Sequence, residues 1–231
     1  MIEYIIPGNI DDRILAKAVH ILKSGGTAAI PTDTSWSIVC SFNSREGIKR
    51  LKSISKERDE RYFTLLCSDI SQFGELCSLD NSRFRLIKRL TPGPYVFILK
   101  TLPGTEKTLG LRRREIGVRL PDSPVPQALI QALECPLYGI TAKRTMLAGW
   151  IDDDDSEQTN NNDDEDNAPS DFTAFYREET MFDGGWEMED IRGLDLILDP
   201  GEDQNRLFTT VLDISGDEIQ LLRQGKGDWT V

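Results

Sequence analysis

Four short stretches of the chain carry side chains suited to holding an oxyanion. Thr32, Asp33 and Thr34 follow Pro31 at the end of the apolar run TAAI. Short polar side chains at a strand's C-terminal end sit where α/β sheets collect ligands. A turn whose Thr and Asp bond their own backbone is the other reading. Lys56 and Arg58, with Arg61 just beyond, close a segment that also carries Lys49, Arg50 and Lys52. Cations so placed can grip different oxygens of one polyphosphate, or they can simply offset a helix dipole. Arg119 lies in IGVRLP between apolar neighbours, so if buried it must line a cavity or pair with a carboxylate. Thr141 and Lys143 end LYGITAK and could present a hydroxyl and a cation to a phosphate.

Other chemistries are narrowed by what the chain holds. His20 is the single histidine. It falls in a helical pattern where Ile14, Leu15, Ala18, Ile21 and Leu22 recur, which reads as a helix-surface or half-buried residue. A Ser-His-Asp relay or a His-rich metal site would have to use it. Cys40, Cys67, Cys77 and Cys135 lie far apart without a CxxC pair. They read as buried thiols in a reducing cytoplasm, with no metal site expected. No apolar run approaches the length needed to cross a bilayer, and the first residues lack a secretory pattern. A cytoplasmic protein without a membrane partner is expected.

The formal charge of −12 hides two opposed regions. Asp152 to Asp171 holds ten acidic residues and no Lys or Arg, whereas residues 45–119 hold 17 basic against 9 acidic, a net of +8. Clustered cations raise the local concentration of anions. The acidic stretch, at about 150–171, is polar and of low complexity and reads as a mobile insert. It is either a solvated loop or a phosphate-mimicking tether across the basic face.

The elements that must position these groups follow from periodicity. A helix is expected from about Asp11 to Ser24, stopped by Gly25-Gly26. Another begins after Ser44 as N-cap. YFTLLC, YVFILK, IGVRL, LYGIT, GLDLILD, FTTVLD and EIQLLR read as strands. ISQFGELC, NSRFRLIKRL and PVPQALIQAL read as helices, the last with Pro near its start. Strands and helices interleave with hairpin-like returns, which predicts one α+β domain spanning residues 1–231 around a mixed sheet.

Taken in order, PTDTSWS (31–37), KER (56–58), TPGPYVFIL (91–99), IGVRLPD (116–122), TTVLD (209–213) and RQG (223–225) resemble the YrdC/YciO family of threonylcarbamoyl-AMP synthase-like proteins. FTLLCSDISQF and FRLIKRLTPGPYVFIL look closest to its YciO-like branch. The chain departs from the family pattern at Trp36-Ser37, at Asp59 and at Lys143. The resemblance implies a three-layer α+β domain with a twisted mixed sheet around a basic cavity. It implies ATP with Mg²⁺ as a substrate and no tightly bound cofactor. L-threonine and bicarbonate would be co-substrates, giving threonylcarbamoyl-AMP and pyrophosphate for tRNA modification. A catalytically inactive or substrate-shifted paralogue binding double-stranded RNA or nucleotide is the alternative. Carried over by motif, Lys56 and Arg58 would hold phosphates as the catalytic cations. Thr32, Thr34, Arg61, Arg119, Thr141, Lys143 and Arg223 would bind substrate or nucleotide.

Overall fold

The computed structural model describes residues 1–57, 59–148 and 178–230; Arg58 and the acidic insert lie outside them. Among the described residues, ten strands form one sheet. In chain order they are β1 (Ile2–Tyr4), β2 (Ala28–Ile30), β3 (Ser37–Ser41), β4 (Thr64–Leu66), β5 (Tyr95–Lys100), β6 (Glu115–Arg119), β7 (Leu137–Thr141), β8 (Leu196–Asp199), β9 (Thr210–Asp213) and β10 (Gln220–Arg223). Their spatial order is β1-β8-β2-β3-β7-β4-β6-β5-β9-β10. The β1–β8, β2–β8, β4–β6 and β5–β9 pairs are parallel and the other five antiparallel. The expected mixed α+β sheet is therefore present. Three elements that periodicity did not reveal are β1, β3 and a short helix over Pro103–Leu109.

Six α-helices among the described residues flank the sheet. They are α1 (Asp12–Lys23), α2 (Arg45–Ser55), α3 (Ile70–Leu76), α4 (Asn81–Leu90), α5 (Pro103–Leu109) and α6 (Pro124–Leu133). The caps are those the sequence suggests. Asp11 accepts from the Arg13 backbone N–H, and Ser44 accepts from Gly47. Such bonds satisfy donors that a helix start leaves open. Gly25, at φ +88°, turns the chain out of α1, a conformation a side chain would strain.

Alternation along the strands divides the core in two. One sheet face gives Ile38, Cys40, Leu65, Phe97, Leu99, Val118 and Tyr138 to the larger cluster. Ile48 and Leu51 of α2, Phe73 of α3 and Ile87 of α4 pack on it. The opposite face gives Ala28, Ile30, Val39, Leu66 and Leu137 to a smaller cluster beneath α1 and α6, which contribute Ala18, Leu22, Val125, Leu129 and Leu133. Helices, sheet and helices make three layers. Because α1 and α6 cover only part of their face, the remainder stays open as a hollow.

Candidate functional site

The hollow lies on the sheet face shared with α1 and α6 and contains about 620 Å³ of empty space, its open mouth included. Its lining is drawn from seven of the ten strands and the segments that flank them. Ser37 of β3, Gly139 and Thr141 of β7, and Thr64 of β4 make a hydroxyl-bearing end. Register explains the grouping, since Ser37 stands opposite Thr141 and Thr64 opposite Gly139. Gly139 keeps this floor low, because a Cβ there would meet Val39 Cγ1 at 2.8 Å. Val96 and Ile98 of β5 and Val211 of β9 make an apolar end. From β7 to β5 there are three strand intervals, or roughly 14 Å at the usual spacing of about 4.8 Å.

Three cations enter this lining: Arg61, Arg119 and Arg223. Arg119, 4% exposed, donates from Nη2 to Asp33 Oδ1 at 2.5 Å. Both readings of its sequence setting thus hold, for it lines the cavity and pairs with a buried carboxylate. Burial lowers its pKa from the ordinary arginine value, and the Asp33 carboxylate opposes that shift. Arg61 is fixed by Asp59, its Nε 2.7 Å from Oδ2, and this bond raises its pKa. Arg223 is held by Thr209, with Nε 2.9 Å from the carbonyl and Nη2 2.8 Å from Oγ1. Its guanidinium carbon also lies 5.3 Å from the centre of the Phe208 ring, a cation–π geometry.

The remaining expected site residues fall in different places. Thr34 lines the hollow, whereas Thr32 organises the turn behind it. The Thr32 hydroxyl donates to the Ser35 carbonyl at 2.7 Å and accepts from the Thr34 and Ser35 N–H groups. Lys56 is not among the lining residues. It caps α2 in the left-handed conformation, and its exposed Nζ donates to the Thr145 carbonyl at 3.0 Å. Arg58 lies outside the described residues. Lys143 is buried beside the hollow, its Nζ 3.5 Å from Glu57 Oε1 and 5.2 Å from the centre of the Tyr62 ring. Burial lowers its pKa, Glu57 opposes the shift, and Arg223 reinforces it. His20 lies exposed on α1, as its spacing suggests.

Sequence reading missed Ser35, Ser37, Thr64, Tyr62 and the Leu207-Phe208-Thr209 segment, all of which line the hollow. That segment is tied over it where the Leu207 N–H donates to the Thr34 carbonyl at 3.1 Å. A signal for Ser37 was faint because all five residues of β3 are buried, which erases the polar–apolar alternation that marks a strand's faces.

The chain matches the Sua5/YciO/YrdC family model, described as "Telomere recombination", over residues 20–163. It is 32% identical over 226 residues to the uncharacterized protein YciO of Escherichia coli K12, covering 97% of this chain and 95% of that one. A threonylcarbamoyl-AMP synthase of Xanthomonas axonopodis is 27% identical over 131 residues, or 55% of this chain and 70% of its own. Among solved structures, E. coli YciO superposes with a TM-score of 0.76 at 30% identity, covering 99% of this chain and 97% of that one. Sua5 of P. abyssi complexed with L-threonine gives a TM-score of 0.72 at 17% identity, over 97% of this chain and 57% of that one. The likeness to Sua5 shows the fold alone.

Proposed function

The chain belongs to the Sua5/YciO/YrdC family, and from that premise we propose that its hollow binds ATP and an amino acid for a threonylcarbamoyl-AMP synthase-like reaction. The observation that carries this reading is the gathering of Arg61, Arg119 and Arg223 with serine and threonine hydroxyls on one sheet face. In the reaction, L-threonine takes up carbon dioxide from bicarbonate at its amino group. The resulting carbamate oxygen attacks the α-phosphorus of ATP, a phosphorus–oxygen bond forms, and pyrophosphate leaves. Guanidinium groups suit the charge that collects on the phosphoryl oxygens and the leaving group. The side chains gathered here are mainly cations and hydroxyls rather than carboxylates, so Mg²⁺ enters on the phosphates it already ligates. The roughly 14 Å between the hydroxyl and apolar ends of the floor (three strand intervals) suits a ligand pair with a polar head and a flat, apolar base.

A second reading is a substrate-shifted or inactive relative that binds nucleotide or double-stranded RNA. Lys143 favours it, because a buried ammonium beside the hollow changes the charge a co-substrate meets. Pyrophosphate release from ATP separates the two. Release that requires both threonine and bicarbonate supports the synthase reading. ATP binding without such release supports the second.

A further inference from the structure

One cation at the rim of the hollow is tied to no carboxylate. Arg61 is bonded to Asp59, Arg119 to Asp33, and Lys143 lies beside Glu57. Lys226, one residue past the RQG stretch, makes no ion pair among the described residues. Its Nζ donates instead to the backbone carbonyl of Asp33 at 2.6 Å. The side chain is exposed, yet its root is fixed. The Lys226 N–H donates to the Phe208 carbonyl at 2.8 Å. Just before it, the Gly225 N–H donates to Thr210 Oγ1 at 2.9 Å, and a Cβ on Gly225 would lie 2.4 Å from the Phe208 oxygen. A docked turn thus carries a flexible ammonium, and Lys226 bridges the two segments whose Phe208 and Thr34 line the hollow.

A second donor at the same place is unmet. Arg119 lines the hollow, and its Nε is buried with no hydrogen-bond partner among the described residues. Such a donor costs free energy unless an acceptor from outside the chain reaches it. Asp33 holds both cations, Arg119 through its carboxylate and Lys226 through its carbonyl, so the two stand side by side.

We propose that Lys226 is a phosphate-binding residue of the hollow, leaving the Asp33 carbonyl to take the outer phosphates of a nucleoside triphosphate beside Arg119 Nε. This rests on the reading that the hollow takes ATP, and adds to it a means of telling a triphosphate from a monophosphate. On the carbonyl, the ammonium spends one of its three donors on a neutral acceptor. A phosphate oxygen offers a charge-assisted bond, roughly twice as strong. Lysine acts as a point charge rather than a planar fork, which suits a compact, multiply charged group better than a single carboxylate. With a base set on Val96, Ile98 and Val211 of the floor, the outer phosphates are the part of the ligand nearest the rim. The same contact holds pyrophosphate as it departs.

The test is titration of Mg²⁺-ATP and of AMP, without threonine or bicarbonate, into the full-length wild type, Lys226→Met and Lys226→Arg. Lys226→Met is expected to bind ATP about tenfold more weakly, the loss of one charge-assisted bond, with AMP affinity unchanged. Lys226→Arg, which keeps the cation, is expected to retain most of the ATP affinity. Unchanged ATP binding by Lys226→Met, an equal loss for ATP and AMP, or an arginine variant as weak as the methionine one overturns the proposal. Failure of the nucleotide reading itself shows separately, as a wild type that binds no ATP.

Discussion

Arg119 on β6 and Asp33, in the turn between β2 and β3, form a buried ion pair across 86 residues of chain. The guanidinium is 5% exposed and the carboxylate 9%. A pair so enclosed is held in place as much by the cost of breaking it as by its own attraction. It joins the opening turn to the strand that brings a cation into the hollow, so the site and the fold share one contact.

Removing one partner strands the other. Arg119→Met is expected to cost about 3–5 kcal/mol of stability, because the Asp33 carboxylate is left buried and uncompensated. The double variant Arg119→Met/Asp33→Asn should recover a measurable part of that loss. Chemical denaturation of the three proteins checks it, and strictly additive losses would mean that the two residues do not interact.

Lys143 makes stability depend on pH in the alkaline range. Its folded pKa is lowered from 10.5, chiefly by burial, with Arg223 reinforcing and Glu57 opposing. Between the lowered folded value and the ordinary unfolded one, the unfolded chain holds more protons, so stability rises with pH through that window. Lys143→Met should remove this rise. Denaturation midpoints from pH 7 to 10.5 measure it, and an identical slope in the variant would sink the assignment.

The buried thiols are expected to be inert. Burial raises the pKa of Cys40 and Cys67, and pushes that of Cys77 up to about 12. Thiolate is the reactive form, so at pH 8 these three should resist alkylation in the native protein and react once it is denatured. Mass spectrometry after iodoacetamide treatment reads the outcome, and rapid native labelling of any of them would contradict the packing described.

The cations are not expected to be equivalent. Arg223 lines the hollow, whereas Lys56 caps α2 with its ammonium on the Thr145 carbonyl. Lys56→Ala should therefore weaken ATP binding by a smaller factor than Arg223→Met. The reverse ranking in parallel titrations would place the phosphates near the end of α2.

Much of the fold was legible because its signals are local. Asp11 and Ser44 cap the helices they precede, and the apolar runs of β5, β6 and β7 are strands. β1 escaped notice because three residues with no alternation gain their place only by pairing with β8, nearly 200 positions away. For the site, Arg119 stood out as a charge in an apolar run, and Arg223 through its motif. Thr32 and Lys56 were equally conspicuous in sequence, yet the first spends its hydroxyl on the turn and the second points its ammonium at Thr145. Ser37 and Thr64 carry no local mark of function. Their meeting depends on strand order and register, which are long-range properties of the whole sheet.

The most direct measurement is calorimetric titration of Mg²⁺-ATP into the wild-type chain and into Arg223→Met. If the hollow is the nucleotide site, wild type binds ATP and the variant binds it about tenfold or more weakly, the loss of one charge-assisted contact. Equal affinity in the two proteins, or no binding by wild type, contradicts that placement.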